Sequence, residues 1–169
     1  MVGEKKPTDI LREEHRGVLQ KLDALEEVIS RLDGKEEISA KLKELASFFE
    51  TEFWVHFTKE EEALFPEIEK FIPRDSGPVG VMLMEHEDLR NTNKGFQMAI
   101  KEYLGDSGNA GARGIIQERG AYFIGVLRDH INKEDNILFM MADMHLDQAQ
   151  IASVVRLFHE IEGAESRSN

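Results

Sequence analysis

The stretch HFTKEEEALF, at residues 56–65, recurs in the chain as HINKEDNILF at residues 130–139. Each copy begins with a histidine, has a glutamate four residues later and ends in Leu-Phe. Upstream of the two copies lie two further matching pairs, Glu14-His15 and Glu85-His86. The chain therefore contains two related halves, and we expect each half to form a helical hairpin of the same kind.

Apolar residues around these motifs recur at alternating steps of four and three, which is the period of an amphipathic helix. Loops are expected over Ile72–Pro78 and Gly105–Gly111 and a frayed tail over Gly163–Asn169. The pattern predicts four long helices, at Ile10–Leu32, about Glu36–Phe65, Met82–Tyr103 and Ile116–Met141. Thr8 would cap the first helix and Asp33-Gly34 would end it, and Pro66 would stop the second. A short fifth helix is expected from Asp147 to about Ile161, opened by a capping box with Gln150.

These elements predict an all-α fold: an antiparallel up-down-up-down four-helix bundle with a short additional C-terminal helix. No segment has the composition of a linker, so we expect a single domain over residues 1–169. Its bundle core would span about 8–145 and its C-terminal helix about 147–162.

Six residues that could bind a metal occupy inward positions that an ordinary bundle gives to leucine. Unpartnered imidazoles and carboxylates are costly to bury, and a shared metal compensates for that cost. Chain reversals near Gly34, Arg74 and Gly108 would bring all six to one level of the bundle. The predicted ligands are His15, His56, Glu60, His86, His130 and Glu134.

Nitrogen and carboxylate ligands without thiolate fit iron, manganese or zinc. Two glutamates that can each bridge favour two ions over one, and iron is the natural metal for a dinuclear carboxylate site in a bundle. A structural zinc site would prefer four closed ligands. We therefore predict two iron ions, with manganese or zinc as possible substitutes.

Several other residues have more than one interpretation. His145 and His159 fall outside the common level and are interpreted as structural or surface residues. Glu61 either faces solvent, binds a metal or holds a ligand histidine, and Arg90 either lies on the surface or stabilises a bound oxygen species. Three methionines are predicted to fill the core: Met140, Met141 and Met144.

The composition limits the partners and the location. The 169 residues include 33 acidic and 21 basic side chains and no cysteine, and their net charge of -12 disfavours nucleic acid and anionic lipid. Disulfides and thiolate metal sites are excluded. No apolar run approaches the roughly 18 to 20 residues that span a bilayer, and the N-terminus lacks the features of a signal peptide. A soluble cytoplasmic protein is expected.

At these residues the chain resembles the hemerythrin-like (HHE cation-binding) family over about residues 8 to 142. Its pattern is a histidine on the first and third helices and His-x-x-x-Glu, or Asp, on the second and fourth. The resemblance implies a non-haem di-iron centre with an oxo or hydroxo bridge. In that centre the four histidines would be terminal ligands, while Glu60 and Glu134 bridge.

Oxygen-carrying members of that family have two histidines one turn apart on the third helix, but Met82 and Arg90 flank His86 here. Their fourth-helix acid also lies five residues after its histidine, where this chain has Asp135. The helix phase and the repeat favour Glu134 instead. The chain is therefore more similar to the iron- and oxygen-responsive members than to the oxygen carriers.

Three functions remain open from the sequence. The first is a protein that binds or senses a small diatomic ligand, dioxygen or nitric oxide, or that reports iron supply. The second is a di-iron redox enzyme acting on peroxide, nitric oxide, dioxygen or ferrous iron. The third is a structural helical interaction module without stoichiometric metal. The sequence identifies no protein partner.

Overall fold

A computed structural model describes residues 5–105 and 110–168 of the chain. These residues form helices joined by short turns, and no β-strand occurs among them, which confirms the all-α prediction. Residues 106–109 of the predicted second loop and residue 169 of the predicted tail lie outside the described part. The α-helices are α1 Pro7–Ile29, α2 Lys35–Glu50, α3 Phe53–Lys59, α4 Phe65–Ile68, α5 Pro78–Leu104, α6 Ala110–Lys133, α7 Phe139–His145 and α8 Gln148–Ser168.

The helices pack around a common core as a bundle. Helix α1 packs against α2 and α6, and α5 packs against α2 and α6. At one end, the Tyr103 hydroxyl donates to the Leu32 carbonyl at 2.5 Å and the Lys35 ammonium donates to the Gly105 carbonyl at 2.9 Å. Among the described residues, no helix is both long and apolar enough to cross a membrane.

Thr8 does not cap α1, contrary to the prediction. The helix begins at Pro7, which suits the first helical position because a missing N–H costs nothing there. Thr8 is fully buried, and its hydroxyl donates to the Asp143 carboxylate. The side chain therefore ties the start of α1 to α7 instead of capping its own helix.

The predicted helix over Glu36–Phe65 is interrupted at Thr51 and Glu52. The Phe49 carbonyl accepts hydrogen bonds from the Asn93 amide at 2.9 Å and the Trp54 indole at 2.8 Å. Side chains thus replace the backbone donors that a continuous helix would supply. The apolar spacing runs through the break without a gap, so the sequence pattern did not indicate it.

Each copy of the repeat contains a π-helical turn, Glu60–Leu64 between α3 and α4 and Glu134–Leu138 between α6 and α7. A π-helical turn adds a residue and shifts the helix face that follows it. From the end of the second turn onward, Leu138, Phe139 and Ala142 are buried, whereas Ile137 within the turn is 53% exposed. An uninterrupted α-helix would place Ile137 in the inward row with His130 and Glu134, and the π-helical turn moves it outward.

The same shift turns the methionines outward. Met140 is 53% exposed and Met144 is 77% exposed, while Met141 is half-buried. The prediction that these residues fill the core was therefore wrong for Met140 and Met144. The π-helical turn before them changes which residues of the following helix face inward.

Helix α8 has the predicted capping box, in which the Gln150 N–H donates to Asp147 at 2.8 Å and the Asp147 N–H donates to Gln150 at 3.0 Å. It is not short, however, and it continues through most of the predicted frayed tail to Ser168, over 21 residues. Phe158 is buried among Leu11 and Ala63, and Glu162 pairs with Lys59. These contacts fix the helix against the bundle as far as Glu162, just past its predicted end.

The buried apolar residues form two clusters along the bundle. Each of the four predicted ligand histidines lies in the sequence between members of the two clusters. His15 lies between Leu11 and Val18, and His86 lies between Met82 and Leu89. The histidine layer therefore separates two apolar layers.

Candidate metal centre

The structure brings all six predicted ligands together at one level. The side chains of all six residues are at most 5% exposed. His15 and His56 face each other with their Nε2 atoms 2.9 Å apart, and His86 and His130 do the same at 3.2 Å. Each half of the chain thus contributes one pair of opposed imidazoles.

The two glutamates lie between these pairs. Glu60 approaches the Nε2 atoms of His56 at 3.6 Å and His86 at 3.2 Å. Glu134 approaches those of His15 at 3.3 Å and His130 at 3.1 Å. Each carboxylate therefore reaches one histidine of each half.

Two overlapping groups of four residues can each surround one cation. In each group, one ligand atom per residue lies within 4.8 Å of all the others. Glu60 and Glu134 belong to both groups. The arrangement can therefore accept two adjacent ions that share two carboxylates: one group is His15, His56, Glu60 and Glu134, and the other is Glu60, His86, His130 and Glu134.

The far side of every imidazole is held by an acidic side chain. Because a carboxylate only accepts hydrogen bonds, Nδ1 is the donor of each imidazole, and in the neutral form the lone pair is on Nε2 and faces inward. The four Nδ1 partners are Asp135 for His15 at 2.7 Å, Glu14 for His56 at 3.0 Å, Glu61 for His86 at 2.6 Å and Glu85 for His130 at 2.9 Å.

This arrangement fits metal ions on two independent grounds. Two imidazole lone pairs that face each other at about hydrogen-bond distance repel unless a cation or a proton lies between them. In addition, all four carboxylate oxygens of Glu60 and Glu134 are buried without a hydrogen-bond partner in the described part of the chain. Buried anionic oxygens in that state require a cationic partner.

The pKa values of three of these residues show the same need for positive charge in the cluster. Burial and the neighbouring Glu134 raise the pKa of Glu60 to about 8. Burial lowers the pKa of His130, but Glu134 and Glu85 outweigh it and raise that pKa to about 10. Burial alone would raise the pKa of the Glu134 carboxyl, yet the neighbouring His130 and His15 hold that pKa well below its usual value. The cluster therefore retains protons wherever no other cation neutralises it.

The supporting acids follow the internal repeat. In each half, the glutamate that precedes the upstream histidine accepts a hydrogen bond from the downstream histidine. Glu14, before His15, accepts from His56, and Glu85, before His86, accepts from His130. The acid that follows Glu60 or Glu134 instead accepts from a histidine of the other half, as Asp135 does from His15. Sequence reasoning aligned these positions in the repeat but assigned no role to Glu14 or Glu85.

Two lysines complete this supporting layer. The Lys59 ammonium donates to Glu14 at 2.9 Å, and Lys133, its counterpart in the repeat, donates to Glu85. Both lysines belong to the quoted motif, three residues after its histidine, and the sequence analysis did not single them out. Their recurrence next to matching acids was the signal that could have found them.

Glu61 and Arg90 form one chain of contacts. Glu61 accepts from the His86 Nδ1–H at 2.6 Å, so it lies against a predicted ligand histidine. The Arg90 guanidinium donates to Glu61 at 2.9 Å and to Glu87 at 3.2 Å. Both groups therefore support His86 from outside the centre.

Aromatic rings fix the planes of two imidazoles. Phe57 stacks on His86 with ring centroids 3.6 Å apart, and Phe139 lies parallel to His15 at 5.5 Å. By contrast, His145 lies 4.7 Å from the Phe71 ring, and the His159 side chain is 73% exposed. The two remaining histidines thus lie outside the cluster.

A comparison with known families agrees with this geometry. The profile of the Hemerythrin HHE cation binding domain family matches residues 6–142. The chain therefore belongs to this family, and the resemblance seen in the sequence is confirmed. A search of curated proteins gave no match. Helix α8 lies beyond the matched range.

Proposed function

We propose that this chain is a non-haem di-iron protein that binds or senses dioxygen or nitric oxide, or that reports iron supply. The observation that carries the proposal is the set of four buried carboxylate oxygens without a hydrogen-bond partner, which face the Nε2 atoms of four buried imidazoles. His15 and His56 would hold one ion, His86 and His130 the other, and Glu60 and Glu134 would be shared. Iron, when bound, supplies the redox and gas-binding chemistry.

The donor set supports iron. Imidazole and carboxylate ligands suit iron, manganese and zinc, and the chain has no cysteine to favour a thiolate metal. Two imidazoles and two shared carboxylates leave each ion short of six ligands. Sites of this kind keep positions open for a small molecule.

The contacts of Arg90 favour binding over turnover. In the enzyme alternative Arg90 was a candidate for stabilising a bound oxygen species, but its guanidinium is engaged with Glu61 and Glu87 outside the centre. The imidazoles instead pack against apolar rings, because Phe57 stacks on His86 and Phe139 lies parallel to His15. Apolar rings beside the imidazoles suit a small uncharged ligand.

We also propose that the bundle has the antiparallel up-down-up-down arrangement and forms one domain. The pairing of His15 with His56 and of His86 with His130 supports hairpins that reverse direction. The hydrogen bond from Tyr103 to Leu32 joins the C-terminal end of α5 to the turn that follows α1. Both features agree with that topology.

The experiment is an anaerobic titration of the iron-loaded protein with dioxygen and, separately, with nitric oxide. We expect a saturable change in the optical spectrum with at least one gas. An unchanged spectrum with both gases would contradict gas binding. Sustained turnover of peroxide or ferrous iron in the same preparation would support the enzyme instead.

A further inference from the structure

The internal repeat provides a comparison between two equivalent grooves beside the centre. With His15 aligned to His86, Gly17 corresponds to Asp88. With His56 aligned to His130, Phe48 corresponds to Tyr122. In the second half, the Tyr122 hydroxyl donates to the Asp88 carboxylate at 2.6 Å, so a hydrogen bond crosses the groove between α5 and α6.

The first half cannot form this bond. Gly17 has no side chain and Phe48 has no hydroxyl group. A Cβ atom added at Gly17 would meet nothing within 4 Å. The groove is therefore open where its counterpart is bridged.

A cavity of about 300 Å³ lies at this opening. Its charged residues are two lysines and two glutamates, so they contribute no net charge. Lys59 is paired with Glu14, and the Lys21 ammonium lies 5.0 Å from the centre of the Phe48 ring. The remaining lining is mainly apolar: Gly17, Val18, Phe48, Phe53, Val55 and His56.

We propose that this cavity, the Gly17 pocket, is a binding site for a compact, uncharged apolar molecule such as a single aromatic ring. Apolar lining without net charge selects an uncharged ligand. The volume is sufficient for a single ring, because pockets for small molecules begin at about 300 Å³.

The pocket also has a defined relation to the centre. Two of its lining residues are His56 and Glu14, the acid that holds the His56 Nδ1. A bound molecule would thus contact the outer side of one predicted ligand and leave the second half untouched. The proposal rests on the lining of the pocket and holds whether or not the centre binds a gas.

The test uses fluorobenzene and ¹⁹F NMR on the full chain. Wild-type protein should broaden the fluorine signal saturably, and toluene should reverse the effect. The double variant Gly17→Asp/Phe48→Tyr installs the residues of the bridged groove, and we expect its affinity to fall by about tenfold or more. The control Gly114→Asp makes the same exchange at another helical glycine with open space around it, and it should bind like wild type.

Circular dichroism would establish that the double variant is folded. Nuclear Overhauser contacts from the fluorobenzene protons to Phe48 would place the ligand in the pocket. Two results would overturn the proposal: no saturable binding by wild-type protein, or equal binding by wild type and a folded double variant.

Discussion

Each imidazole of the centre is oriented by an acid on its outer side, so residues that touch no metal decide which nitrogen faces inward. Glu14 is the clearest example, because it accepts from His56 and is itself held by Lys59. An acid in this position fixes the tautomer and raises the basicity of the ligand nitrogen.

We therefore expect Glu14→Gln to weaken metal binding by about 10-fold, since supporting residues of this kind contribute about 10- to 100-fold to metal affinity. Glutamine keeps the size but loses the charge. The measurement is a competition between the protein and a chelator. Glu13→Gln is the matched control, because Glu13 is exposed and pairs with Lys5; equal affinities of the two variants would contradict the role of Glu14.

The pKa values of the centre predict that metal affinity rises with pH. Below a pKa of about 8, Glu60 carries a proton that an incoming ion must displace, and above it the carboxylate is free. His130, with a pKa of about 10, still releases a proton above that point. The affinity of metal-free protein should thus rise more steeply below pH of about 8 than above it. An affinity independent of pH in a chelator competition series would show that no proton is displaced.

At the scale of the helices, the interruptions of the predicted helices lie next to the centre. The break at Thr51 and Glu52 precedes His56, and the π-helical turns begin at Glu60 and Glu134. Apolar periodicity located the helices and the inward positions of all six predicted ligands. It could not reveal the break, because side chains on α5 satisfy the carbonyl groups there. It could not reveal the π-helical turns either, because one added residue leaves no mark in composition.

Asn93→Ala tests how the break is stabilised. It removes one of two donors to the buried Phe49 carbonyl and should lower the free energy of unfolding by about 1 to 2 kcal/mol. Urea denaturation provides the measurement. The control is Asn91→Ala on the exposed side of the same helix. If both variants were as stable as wild type, the Asn93 amide would not be needed at the break.

At the scale of the whole molecule, α8 completes a bundle that the family profile covers only to residue 142. Its Phe158 is 1% exposed, and its Glu162 pairs with the same Lys59 that holds Glu14. The sequence predicted the start of this helix from its capping box. Its length could not be predicted, because it depends on contacts with residues about 100 positions away.

Phe158→Ala should therefore lower the free energy of unfolding by about 3 to 5 kcal/mol, through lost burial and the cavity left behind. The neighbouring His159→Ala is the control, since that side chain is 73% exposed and its loss should leave stability nearly unchanged. Thermal and urea unfolding would measure both variants. Comparable stability of the two would mean that α8 is not part of the folded core.

The central claim is that six buried residues hold two ions, and the metal content of the protein tests it most directly. Protein loaded anaerobically with ferrous iron and freed of excess metal should contain about two iron ions per chain, because two groups of four ligands share Glu60 and Glu134. Elemental analysis against protein concentration gives this ratio. Saturation at a single ion per chain, or no stoichiometric metal, would contradict the account.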